Sequence, residues 1–164
     1  MSAEDHARQS AATLAAVQAM EDALGRSETD MTPYFHEDFA WRGNRGCGTK
    51  RGEAAFRRGW QQPFRKAFGD RVYKTEKFLA DGDWAACFGY VEATHIGEFM
   101  GIPATGRQVR IPYMDFWRVE DGRIADNPVF VDFASVAFQL GKDVFDGHGW
   151  EQHDIEEEGG AQTA

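Results

Sequence analysis

The sequence predicts an α+β domain in which helices pack on one face of a strongly curved antiparallel sheet. Three observations carry that expectation. Apolar residues recur at helical spacing as far as residue 68 and with a period of two after residue 70. Two Asp-Gly pairs, Asp81-Gly82 and Asp121-Gly122, each divide runs of alternating residues, which is the signal of a β-hairpin. The helical segments come first and a meander of long strands follows, so helices and strands separate into layers.

The elements follow in order. Residues 3–25 form a helix with Leu14, Val17, Met20 or Glu21, and Leu24 on one stripe and Gly25 as its stop. A short helical stretch is expected around Pro33–Glu37. From Gly52 to Phe68, Phe56, Trp60, Phe64 and Phe68 recur every four residues, with Arg57, Arg58, Gln61 and Arg65 opposite. Pro63 should kink or split that helix, because it has no backbone N–H to donate. VYKTEKFLA and WAACFGYVEATH form the first hairpin, and FWRVE with RIADNPVFV forms the second. Between them GEFMGIPATG is too rich in Gly and Pro to be regular. Phe133–Leu140 closes the domain as a short helix ended by Gly141.

The 164 residues suit one domain, residues 1–145, with enough apolar and aromatic side chains (42% and 13%) for a core. Residues 146–164 carry six acids, Asp146, Glu151, Asp154, Glu156, Glu157 and Glu158, and no Lys or Arg. Most of the net charge of −9 therefore belongs to this acidic tail, which is expected to be mobile. Residues 42–77 hold eleven Lys and Arg against three acids. With no nucleic-acid motif beside it, that patch reads as a solvated face rather than a nucleic-acid surface. No apolar run reaches the ~20 residues that cross a bilayer, and MSAEDHARQS lacks the basic-then-apolar pattern of a secretory signal. The expectation is a cytoplasmic chain, no membrane partner, and Cys47 and Cys87 as reduced thiols.

The stretch RIPYMDFWRVEDG carries the chemistry. Read as a strand, Ile111, Tyr113, Asp115, Trp117 and Val119 share one face. A curved sheet covered by helices encloses a hollow, and this face should line it. Asp115 is its only charge. A carboxylate among apolar side chains loses hydration, so either its pKa rises toward neutrality or a cation such as Arg42 or Arg110 folds back to pair with it.

Three runs, THIGEFMGIPATGRQV, FWRVEDGRIAD and VDFASVAFQLG, resemble the SnoaL-like polyketide cyclases of the nuclear transport factor 2-like superfamily. The resemblance covers about residues 10–145 in element order. It implies a cone-shaped pocket, a homodimer formed through the outer face of the sheet, and an intramolecular aldol ring closure without metal or cofactor. In that reaction an acidic side chain removes a proton from a carbon next to carbonyls and later protonates the new alkoxide. The family's catalytic aspartate falls on Val129 and its pocket histidine on Asp115. The acid has then moved to Asp115 on the neighbouring strand, or the chemistry differs, or flanking Asp126 or Asp132 is the true match.

The candidates divide by role. Asp115 is the proton-transfer group. His95, in the family's H-x-G-x-F-x-G stretch, would polarise a carbonyl or orient Asp115, or else anchor the following loop. Asp132 is a further catalytic candidate, although its place before FASVAFQL also suits a helix N-cap. Asn127 can donate to a substrate oxygen. Tyr113 and Trp117 could stack on a flat ligand, and Trp41 and Arg42 could sit at the pocket mouth.

Three apparent motifs fail. GNRGCGTK has Thr-Lys where a phosphate loop needs Lys-Thr or Lys-Ser. His148 and His153, with Glu151 near an acidic tail, lack a third fixed ligand for a metal. Neither cysteine has a neighbour that marks a nucleophile. The two readings at this level are an acid–base enzyme acting on a carbonyl-containing cyclic or aromatic small molecule, and a ligand-binding or assembly module that keeps the hollow without chemistry.

Overall fold

The computed structural model describes residues 2–154; the expected tail beyond Asp154 lies outside the described residues. Its elements are α1 (Ala3–Gly25), β1 (Phe35–Gly43), β2 (Thr49–Arg51), α2 (Glu53–Phe56), a π-helical turn (Arg57–Gln61), α3 (Gln62–Ala67), β3 (Phe68–Asp81), β4 (Trp84–His95), β5 (Gln108–Glu120), β6 (Arg123–Val131), α4 (Phe133–Gln139) and a 3₁₀ turn (Trp150–His153). The six strands make one sheet in the order β2-β1-β6-β5-β4-β3. The helices cover one face, and the core lies between the layers.

Helix α1 starts where Ser2 caps it: the Ser2 hydroxyl accepts from the Asp5 N–H while the Asp5 carboxylate reaches back, a capping box. Its buried stripe is Thr13, Val17, Met20 and Ala23. The Thr13 hydroxyl donates to the Gly82 carbonyl at 2.8 Å and the Ser10 hydroxyl accepts from the Gly82 N–H at 2.9 Å. These bonds pin the helix across the β3–β4 turn. Both hairpins form as expected. Asp121 and Gly122 have φ of +49° and +72°, the double left-handed geometry of a type I′ turn that Asp-Gly supplies at least strain.

The structure departs from the sequence reading in three places. Pro33–Glu37 is not helical: a turn at Met31–Tyr34 leads into β1. Phe35 and Phe39 mimic helical spacing, but their rings stack at 3.9 Å within a strand irregularity. The sheet is mixed rather than wholly antiparallel, because β1 runs parallel to β6. A parallel pair needs a long crossover, and here nearly the whole domain between residues 43 and 123 provides it. Pro63 does not end its helical run; the run changes type just before it, from α2 through the π turn to α3. Pro63 enters α3 directly after a widened π turn, which absorbs the backbone bond that proline cannot make.

The opposite face of the sheet carries a cross-strand row, Phe88, Met114 and Phe130, with Phe116 beside it, all exposed.

Candidate active site

Strand β5 sets the position of Asp115 by register. It stands opposite Cys87 on β4 and opposite Val129 on β6, with its side chain on the helix-covered face. Helix α1 and the π turn close over that face and leave a hollow that is partly open to solvent. Its polar wall consists of Glu21 from α1, Tyr113 and Asp115 from β5, and Asn127 from β6; Val129 lies beside them. Trp41 and Trp60 form an aromatic wall, stacked at 4.5 Å. Trp60 is carried by the π turn, a geometry that often marks sites where a helix presents a side chain to function.

Asp115 is partly buried and has one side-chain donor. The Asn127 amide gives one hydrogen to Asp115 Oδ1 at 3.0 Å and the other to the Phe116 carbonyl at 2.9 Å, which fixes the amide's orientation. Neither of the cations expected to neutralise Asp115 reaches it. Arg42 makes a two-pronged pair with Asp126, both contacts 2.8 Å, and Arg110 lies over the Tyr90 ring at 3.5 Å. Among the described residues no Lys or Arg comes within 4.0 Å of the Asp115 or Glu21 carboxyl. Desolvation therefore dominates and lifts Asp115 to about 7, with the Asn127 hydrogen bond opposing it. Glu21 is lifted to about 8, first by burial, then by the Asp115 charge and by Asp22. Repulsion between two such carboxyls is mutual, and they titrate as a pair. Burial also pushes the Cys87 thiol well above its ordinary range, so beside Asp115 it stays neutral and is a poor nucleophile.

The structure brings together Asp115, Asn127, Tyr113 and Trp41. It does not bring in the others. Arg42 points to the opposite side of β1 from Trp41, as strand alternation requires, and is taken by Asp126. Trp117 shares the face of Asp115 but sits nearer the β3–β4 turn, where it stacks on Phe78 at 6.1 Å and is 1% exposed. It is core, not pocket wall. His95 lies eight residues along β4 from Cys87, the partner of Asp115, roughly 26 Å at ~3.3 Å per residue. It cannot orient Asp115. Its ring packs on Phe68 and Phe99, its Nδ1 meets the Thr105 hydroxyl at 3.0 Å, and it anchors the loop as the alternative reading had it. Asp132 is exposed and accepts from the Ser135 N–H at 2.9 Å; it caps α4 outside the hollow. The glycine-rich GNRGCGTK is the β1–β2 turn, held by Asn44 bonding the Val131 backbone.

Glu21, Trp60 and Tyr73 complete the hollow and were not among the expected site residues. Glu21 did leave a signal: it is a charge competing with Met20 for the apolar stripe of α1.

A family model described as SnoaL-like polyketide cyclase matches residues 14–140. The nogalonic acid methyl ester cyclase of Streptomyces nogalater is 28% identical over 129 residues, 77% of this chain and 93% of that one. Among solved structures, AclR from Streptomyces galilaeus superposes with a TM-score of 0.70 at 23% identity, covering 80% of this chain and 97% of that one. An NTF2-like protein from Burkholderia thailandensis gives 0.67 at 19% identity, covering 79% and 98%. These two likenesses speak to fold alone. With an NTF2-like architecture and a family match spanning nearly all of its described domain, the chain belongs to the SnoaL-like polyketide cyclases.

Proposed function

We propose that this protein is a cyclase that closes a ring by intramolecular aldol addition, acting on a carbonyl-rich, flat polycyclic or aromatic small molecule and using Asp115 as the proton-transfer base. One observation carries the reading. Asp115 is an unpaired carboxyl directly across the strand pair from Val129, the position on which the family's aspartate falls. Neighbouring strands are ~4.8 Å apart, so the acid has moved by one strand without leaving the hollow. A base that abstracts a proton next to a carbonyl works best with a pKa near the operating pH, and burial supplies that here.

The remaining groups fit around it. The Asn127 amide holds the Asp115 carboxylate in one orientation. Tyr113, whose hydroxyl meets the Thr75 hydroxyl at 2.7 Å, and the stacked Trp41–Trp60 pair offer flat surfaces to a planar ligand. The family resemblance implies that no metal or cofactor takes part. The name of the 28% identical relative suggests the methyl ester of a polyketide acid as the first compound to try.

The test is incubation of the purified protein with nogalonic acid methyl ester, followed by separation of an isomeric, ring-closed product of unchanged mass. Formation of that isomer by wild type and its loss in Asp115→Asn is the expected result. Val129 favours a second reading, a binding module without turnover. Tight binding of the ester with no isomer, by wild type, would establish that instead.

Two further features belong to the same reading. The exposed row Phe88, Met114 and Phe130 supports a homodimer paired through the outer sheet face. Cys47 and Cys87 are buried free thiols, which supports a reducing compartment, the cytoplasm. No helix among the described residues is long and apolar enough to cross a membrane.

A further inference from the structure

We propose that Glu21 is a second catalytic residue: it forms one acid–base pair with Asp115, holding a single proton between them, and delivers a proton to the carbonyl oxygen while Asp115 takes one from carbon. The inference rests on the cyclase reading and extends it to a group on another element. Glu21 reaches the hollow from α1 and Asp115 from β5, so both carboxyls line the space a substrate would enter. Two uncompensated negative charges in one poorly hydrated hollow repel, and retaining one proton removes the repulsion.

The surroundings decide which carboxyl keeps it. Asn127 donates to Asp115 and stabilises its anion. Among the described residues nothing donates to Glu21, and it lies about one turn from the carbonyl end of α1, which has no basic residue in its last turn. Of the other charged or titratable groups nearby, Asp22 repels a Glu21 anion. Arg26 is turned to Glu28, Arg65 to the Glu28 carbonyl, Arg71 to the Phe68 carbonyl, and Tyr73, Cys87 and Tyr113 are neutral at physiological pH. The resting pair is an Asp115 carboxylate and a Glu21 carboxylic acid.

The step then balances without a co-reactant. Asp115 takes the proton of an acidic C–H, and the C–H electrons form an enolate. The enolate carbon attacks the acceptor carbonyl carbon. As the C–C bond forms, the C=O π electrons move to oxygen, which takes the Glu21 proton. The pair ends as Asp115 acid and Glu21 carboxylate, with one proton throughout, as an isomerisation requires. Glu21 also lines the outer groove with Tyr73, so solvent can return a proton to it.

The test uses Glu21→Gln, Glu21→Asp and Asp115→Asn with two readouts. Carboxyl carbon NMR from pH 4 to 9 should give two linked titrations in wild type, and in Asp115→Asn the Glu21 carboxyl, no longer facing a negative charge, should gain its proton at lower pH than before. A Glu21 midpoint that ignores the removal of the Asp115 charge would overturn the shared proton. With nogalonic acid methyl ester, Glu21→Gln should lower kcat by roughly 10²- to 10⁴-fold with KM little changed. It should also abolish the fall in rate at high pH, and Glu21→Asp should restore part of kcat. If wild type turns over and Glu21→Gln keeps its rate and both pH limbs, the donor role fails and the cyclase reading stands. If wild type binds the ester and forms no product, the cyclase reading fails and takes the donor role with it.

Discussion

Replacing Asp115 with Asn should make the protein more stable at neutral pH, although it removes a hydrogen-bonded side chain from the middle of a strand. Asp115 accepts from Asn127 and meets no cation, and burial lifts its folded pKa from 3.8 to about 7. A carboxyl whose folded pKa is raised is held ionised at a cost. Between pH 3.8 and about 7 the folded state binds the proton more tightly than the unfolded state, so stability falls as pH rises through that window. At about 1.4 kcal/mol per tenfold change in proton affinity, the full cost above pH 7 is about 4 kcal/mol at most. Partial contact with solvent and the shared proton with Glu21 reduce this to roughly 2 kcal/mol. Asn keeps the size and an acceptor for Asn127 and carries no charge. In calorimetry, Asp115→Asn should therefore melt higher than wild type at pH 8, by roughly 4–8 °C for a domain of this size. The gap should narrow steadily on acidification and approach zero only below about pH 4. A variant that melts lower than wild type at pH 8, with the gap closing on acidification, would mean a depressed folded pKa and a stabilising anion. That result would refute the reasoning and remove the basis for an acid–base role.

Three other outcomes follow from the same geometry. Asp132→Ala should cost about 1 kcal/mol of stability as a lost N-cap and leave turnover unchanged, measured by melting and by product formation. Asn127→Leu removes the donor that opposes the lift on Asp115, so the low-pH limb of the rate profile should move up by about one pH unit or more. Met114→Glu, placed in the exposed apolar row, should convert a dimer to monomer in sedimentation without lowering the melting temperature of the isolated chain.

Local signals were legible wherever local physics decides the outcome. The capping box and stripe of α1, both Asp-Gly hairpins, the irregular loop and the Asp132 cap all depend on residues within a few positions of one another. Asp115 was legible for the same reason, since period-two alternation alone assigns it to the buried face. What failed depends on distant partners. Phe35–Gly43 becomes a strand because β6 accepts it in parallel, and nothing within residues 33–43 carries that information. The misplacement of Arg42 follows from that error, because only a strand there puts Trp41 and Arg42 on opposite sides. Motif similarity places His95 with Asp115, but eight residues of β4 separate it from Cys87, the cross-strand partner of Asp115. Glu21 is the instructive case. A charge on an apolar helical stripe is a defect in the pattern, and the defect falls where the helix faces the hollow.

The central claim is that Asp115 has taken over the work of an aspartate absent at position 129, and ring-closure rates test it most directly. The measurement is kcat on nogalonic acid methyl ester for wild type, Asp115→Asn, and Asp115→Asn combined with Val129→Asp. The account predicts a loss of roughly 10²- to 10⁴-fold in the single variant. It also predicts partial recovery in the double variant, whose carboxyl returns to the hollow one strand away. An Asp115→Asn protein that closes the ring at the wild-type rate would contradict it.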